Sequence, residues 1–205
     1  MRNVPVVSKG ENYVFGQNLE DVAEFVGLQG TGHKPLPPDQ LIKKWMLVLR
    51  ALQRYARQLP AERIEEDVIP NRKRSIRLLT HHAFRICEAY LDTAEKGVEY
   101  SIGHANVPPK DGTCLTGPEI AQYGEAVIQR LQKWWDGLPD KSLTWKTKTY
   151  YGMQPMTMVF ERSTWHSAQH SRQLAHVLER MGVTPEKKLT PEDLAGLPLP
   201  ERLFE

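Results

Sequence analysis

Four stretches of roughly twenty residues repeat apolar side chains at helical spacing, each fenced by residues that start or stop a helix. The first follows the breaker run KPLPPD, takes Asp39 as its N-cap, and reads QLIKKWMLVLRALQRYARQL up to Pro60. Its stripe is Leu41, Trp45, Leu47, Val48, Leu52 and Tyr55. The second starts near Ser75 and ends at Gly97. The third opens with Thr116 as a cap and Pro118 in its first turn, and stops at Gly137-Leu138-Pro139. The fourth runs from about Pro155 to Met181, before Gly182. Four long helices, apolar on one side and polar on the other, bury their stripes most simply by packing together, so the expected fold is mainly α, a four-helix bundle.

Three pieces lie outside or between these helices. Residues 1–30 predict a small β-hairpin followed by a helix, the bundle spans 36–182, and 183–205 predicts an extended tail with one short helix at PEDLAG. The segment SLTWKTKTYYGMQ alternates well enough for one short strand or an extended loop. The connection 98–116, rich in Pro and Gly, is long enough to cover a site. The basic run NRKRSIR, from Asn71 to Arg77, reads as a solvated loop in front of the second helix.

Composition narrows the function classes. Basic and acidic residues nearly cancel, leaving a net charge of +2, which argues against a nucleic-acid partner. No long apolar run predicts a membrane span and no leader is evident, so the expected compartment is the cytoplasm. Cys87 and Cys114 make no CxxC; the first reads as a core residue and the second as an exposed loop thiol. Trp134 and Trp135 are adjacent in one helix, which predicts that one faces outward and marks a contact in a homodimer.

Chemistry concentrates in the histidines. At about 100° per residue, His166 and His170 of the stretch WHSAQHSRQL lie about 40° apart, with Val159, Leu174, Val177 and Met181 on their side. Glu161, Arg172 and Glu179 fall on the other. In the second helix His82 sits at the edge of the stripe Ile76, Leu79, Ala83, Ile86 and Tyr90, whereas His81 shares a face with Arg77, Arg85 and Glu88 and reads as solvated. Inward imidazoles need partners. One reading is a set of core histidines hydrogen-bonded to protein groups. The other is an open metal site, in which three imidazoles leave a position for water or substrate. Gln169 and Gln173 flank the pair as ligand contacts or packing residues, Arg85 and Arg172 are candidates for binding a substrate carboxylate or for a solvated face, and no catalytic base is assignable.

The spacing from SIRLLTHH to a distant HxxxH resembles the DinB-like (YfiT-like) metal-binding four-helix bundles, over about Asp39 to Gly182. The resemblance implies ligands at His82, His166 and His170, and a divalent ion, zinc or nickel. It also implies an enzyme of thiol S-transferase or isomerase type, working on a small-molecule thiol and an electrophile, with hydrolysis by a metal-activated water as the alternative chemistry. Residues VPVVSKGENYVFGQNLEDVAEFVGL look like the C-terminal half of a glutaredoxin without its CxxC half. That second resemblance implies at most that Val4, Pro5 and Gly16 help position a thiol such as glutathione, and the alternative is a simple cap on the bundle. A non-catalytic module that binds metal or a partner helix is the competing function.

Overall fold

The structure, a computed structural model, describes residues 6–16, 19–28, 34–69 and 72–204. It is mainly helical, a helical bundle with small β-hairpins. At the N-terminal end, strands β1 (Val6–Lys9) and β2 (Asn12–Phe15) pair antiparallel, and helix α1 (Leu19–Val26) packs on β2. Val4 and Pro5 lie outside the described residues.

The long helices are α2 (Pro38–Arg57), α3 (Ile76–Lys96), α5 (Gly117–Gly137) and α6 (Met156–Arg180), with the short α4 (Ile102–Ala105) after α3. Local chemistry sets their ends. The Ser75 hydroxyl accepts from the Leu78 N–H and the Thr116 hydroxyl from the Glu119 N–H, each satisfying a first-turn donor. In α2 the expected cap moves: Pro37 is the N-cap, and Asp39 sits in the first turn, where its charge complements the helix dipole.

Side-chain ties give the helix directions. Ala56 abuts Gly117, Gln53 bonds Ala121 and Glu125, and Arg50 pairs with Glu125, so α2 and α5 run antiparallel. Tyr123 bonds Glu88, and Arg130 reaches Asp92 and Glu95, so α3 and α5 run parallel. Ser167 bonds the Ala83 carbonyl and Tyr90 packs on Phe160, so α3 and α6 are antiparallel. Both α2 and α3 pack on α5 and α6, which puts α2 opposite α3 and α5 opposite α6 on the diagonals of the bundle, while the consecutive helices α3 and α5 are neighbours. Diagonal neighbours need long connections. The first carries the hairpin β3 (Asp67–Ile69) and β4 (Arg72–Ser75), and the last carries β5 (Lys146–Thr149) and β6 (Gly152–Pro155). The segment read as one strand or a loop is therefore a hairpin, and the run read as a solvated loop is a paired strand.

An aromatic cluster of Trp45, Tyr90, Trp134, Trp135 and Phe160 fills the centre. Trp45 Nε1 donates to Ser167 Oγ at 3.1 Å, and that hydroxyl donates to the Ala83 carbonyl, so one polar chain ties three helices. Both tryptophans of the adjacent pair are buried, contrary to the expectation that one faces outward. Trp135 stacks on Phe160, and Lys141 from the following loop lies over its outer face. Leu47 is exposed instead of joining the stripe, while Glu161 and Cys114 are buried instead of exposed. Among the described residues, no helix is long and apolar enough to cross a membrane.

The tail does not trail away. Gln58 and Lys44 donate to the Thr184 and Asp193 carbonyls, and the Leu189 N–H donates to the Tyr55 hydroxyl. A one-turn helix, α7 (Pro191–Leu194), is held by a capping box at Thr190.

Candidate metal centre

Antiparallel packing of α3 on α6 sets His82 opposite two histidines one helical turn apart. Ring centroids lie 5.4 Å (His82–His166), 5.1 Å (His82–His170) and 4.8 Å (His166–His170) apart. Each ring offers a nitrogen, and these three atoms all lie within 4.8 Å of one another. Nitrogens bound tetrahedrally to zinc at about 2.0–2.1 Å stand roughly 3.4 Å apart, so small ring rotations bring these donors into a ligand set.

Hydrogen bonding selects which nitrogen faces inward. His82 Nδ1 lies 3.0 Å from the Ala105 carbonyl, which only accepts, so Nδ1 carries the proton and Nε2 keeps its lone pair. His170 Nδ1 lies 2.7 Å from Gln173 Oε1. The Gln173 amide nitrogen donates to the Leu203 carbonyl at 2.8 Å, which fixes the amide orientation and again places the proton on Nδ1. His170 Nε2 is buried with no hydrogen-bond partner. A buried lone pair without a donor costs free energy unless a ligand takes it. That orphaned atom, pointing where two further imidazoles converge, is what a metal ion satisfies. The buried His82/His166/His170 group can hold a metal ion.

The electrostatics agree with neutral imidazoles. Burial first, then the neighbouring His170 and Arg74, holds the His82 pKa down at about 2. Burial and Arg74 lower His170 to about 3, and burial with both neighbouring histidines pushes His166 well below its ordinary range. Neutral rings are the form that ligates.

The centre opens on a cavity of about 460 Å³. Val68 and Ile69 of β3, Arg74 of β4, Leu79, Trp165 and the tail residues Leu199, Pro200 and Phe204 share its lining with His166 and His170. Among the described residues, no Asp or Glu lines it. The tail therefore forms one wall, whereas the 98–116 connection supplies the Ala105 carbonyl behind His82.

Other expected residues fall elsewhere. His81 is buried, not solvated: it stacks on Tyr123 with centroids 4.8 Å apart, and burial lowers its pKa to about 4. Its face of α3 is covered because Arg85 is buried too, bonded to Glu88 and to the His104 carbonyl of α4. Arg172 donates to Gln169 and to the Pro200 carbonyl, which places it behind the cavity wall. Gln169 anchors the tail through the Arg202 and Leu203 carbonyls. Cys87 and Cys114 are buried away from the cavity lining, and burial raises both thiol pKa values. Gly16 follows β2 and is not among the residues lining the cavity. Two contributors had no sequence signal. The Ala105 carbonyl is a backbone atom, and Phe204 comes from a tail with no periodicity. No family model matches this chain, and no curated protein sequence matches it either.

Proposed function

We propose that this chain binds one divalent ion, zinc or nickel, through His82, His166 and His170, and that it is a metal-dependent enzyme of thiol S-transferase or isomerase type. The metal reading rests on one observation above all: the buried, partnerless Nε2 of His170 aimed at the convergence of three imidazoles. The thiol reading rests on the resemblance to DinB-like bundles, with glutathione as the thiol to test first. A bound ion supplies Lewis acidity, which lowers the pKa of a thiol or a water at an open coordination position.

The chain's own groups do the rest. Ala105 and Gln173 hold two rings in the ligating tautomer and orientation. Val68, Leu79, Leu199 and Phe204 give the cavity apolar walls on which the body of a small substrate can rest. The competing function is a non-catalytic metal-binding module, which predicts bound metal without affinity for thiols.

Metal content by mass spectrometry, on protein purified without a histidine tag, tests the first part. One equivalent in the wild type and little in His166→Ala is the expected result; no metal in either after incubation with zinc or nickel refutes it. Calorimetric titration of the metal-loaded protein with glutathione then separates the enzyme from the inert module, since absence of heat counts against the glutathione role.

A further inference from the structure

Among the described residues, the cavity beside the histidines carries one fixed cation and no anion. Arg74, from the strand just ahead of α3, lines it together with His166 and His170. The side chain is half-buried, and burial alone lowers its pKa, with no carboxylate acting to raise it. Among the described residues nothing forms an ion pair with it. A desolvated guanidinium beside three neutral imidazoles is costly, and a divalent ion on those imidazoles adds further positive charge. The arrangement is completed by an anion.

The lining restricts which anion fits. One guanidinium presents one planar fork, matched by a carboxylate. A phosphate dianion asks for further donors, and the side-chain amides of Gln169 and Gln173 are already spent on the Arg202 and Leu203 carbonyls. The cavity lining that Arg74 shares is largely apolar, with Val68, Ile69, Leu79 and Leu199 among it. At about 460 Å³ the space lies in the range of small-molecule sites.

We propose that Arg74 docks the carboxylate of a small organic substrate, whose apolar body lies along Val68, Ile69 and Leu79 and whose far end reaches the histidine centre. The proposal rests on the metal-centre reading above and adds to it the chemical class of the molecule brought to that centre.

The test uses the zinc-loaded full chain, with cinnamate and its uncharged analogue cinnamamide as calorimetric probes and zinc counted in the same samples. Wild type is expected to bind cinnamate about tenfold or more tightly than cinnamamide, the size of one charge-assisted pair. Arg74→Gln should lose that preference while keeping its full equivalent of zinc, and Arg74→Lys should recover part of it. Circular dichroism checks the fold of each variant, and Arg74→Lys carries the test if the glutamine variant fails to fold. Equal cinnamate affinity in wild type and Arg74→Gln at unchanged zinc overturns the proposal, as does a wild type indifferent to the charge of the probe. Stronger competition by inorganic phosphate than by cinnamate overturns the carboxylate assignment. If the wild type takes up no zinc, the metal reading fails instead, and the same titration of the zinc-free protein still decides the role of Arg74.

Discussion

Gln173→Ala should weaken metal binding through a residue that touches no metal. The Gln173 amide accepts from His170 Nδ1 at 2.7 Å and donates to the Leu203 carbonyl at 2.8 Å, so it clamps the imidazole against the tail. Losing such an outer partner costs about 10–100-fold in metal affinity, or roughly 1.4–2.7 kcal/mol. The tail itself should stay in place, because Gln169 also donates to the Leu203 carbonyl. Gln169→Ala is therefore the matched control: it loosens the tail by a comparable hydrogen-bond loss and leaves His170 clamped. Zinc affinity measured by competition with a chromophoric chelator should fall for Gln173→Ala and change by less than about threefold for Gln169→Ala. Gln173→Glu keeps an acceptor for Nδ1–H and should retain zinc affinity while releasing the Leu203 carbonyl. Equal losses in the two alanine variants would refute ring orientation as the cause, and so would an unchanged affinity in Gln173→Ala.

The metal-free protein should lose stability in mild acid. His82 at about 2 and His170 at about 3 stay neutral in the fold, while their unfolded counterparts, near 6.5, take up protons. The stabilisation is thus complete above about pH 6.5 and is lost as the pH falls towards the folded values; by pH 5.5 each group accounts for about 1.4 kcal/mol. Urea midpoints from pH 7.5 to 5.5 should fall, with a flatter slope in His82→Gln; a flat wild-type profile would contradict the assigned neutral rings. Gly124→Ala tests the packing of α3 on α5, since an added Cβ meets the fully buried Phe84 ring at 2.5 Å. A loss of about 1–3 kcal/mol in thermal or urea unfolding is expected, and a variant as stable as wild type would show that the ring has room to move.

Much of this arrangement was legible because it is local. Ser75, Thr116 and Pro60 mark helix ends through chemistry that operates within a turn, and the i, i+4 spacing of His166 and His170 puts two rings on one face whatever surrounds them. His82 was legible for the same reason, as an edge position of a stripe. What failed was the outer side of the helices. A helical wheel shows which side is apolar, yet His81, Arg85 and Glu161 are buried on polar sides, with α4 and α5 covering the first two. Arg74 was hidden for a related reason. Its place in a basic run said solvent, but strand pairing with Asp67–Ile69 turns one residue of that run towards the cavity. The diagonal order of the helices had no local signal at all.

That order has a kinetic consequence. In a bundle whose consecutive helices are neighbours, each pair can zip up as a hairpin soon after its loop closes. Here α2 packs mainly on α5 and α6 and little on α3, the next long helix, while α3 can meet the next one, α5, but has its other main partner in α6. The remaining major interfaces each close a long stretch of chain, so loop entropy is spent before contacts repay it, and folding is slower than helix content alone suggests. The tri-histidine pocket is assembled at the end of that sequence, because α6 brings two of its three rings and the tail supplies a wall. Until α6 docks, His82 has no second imidazole beside it.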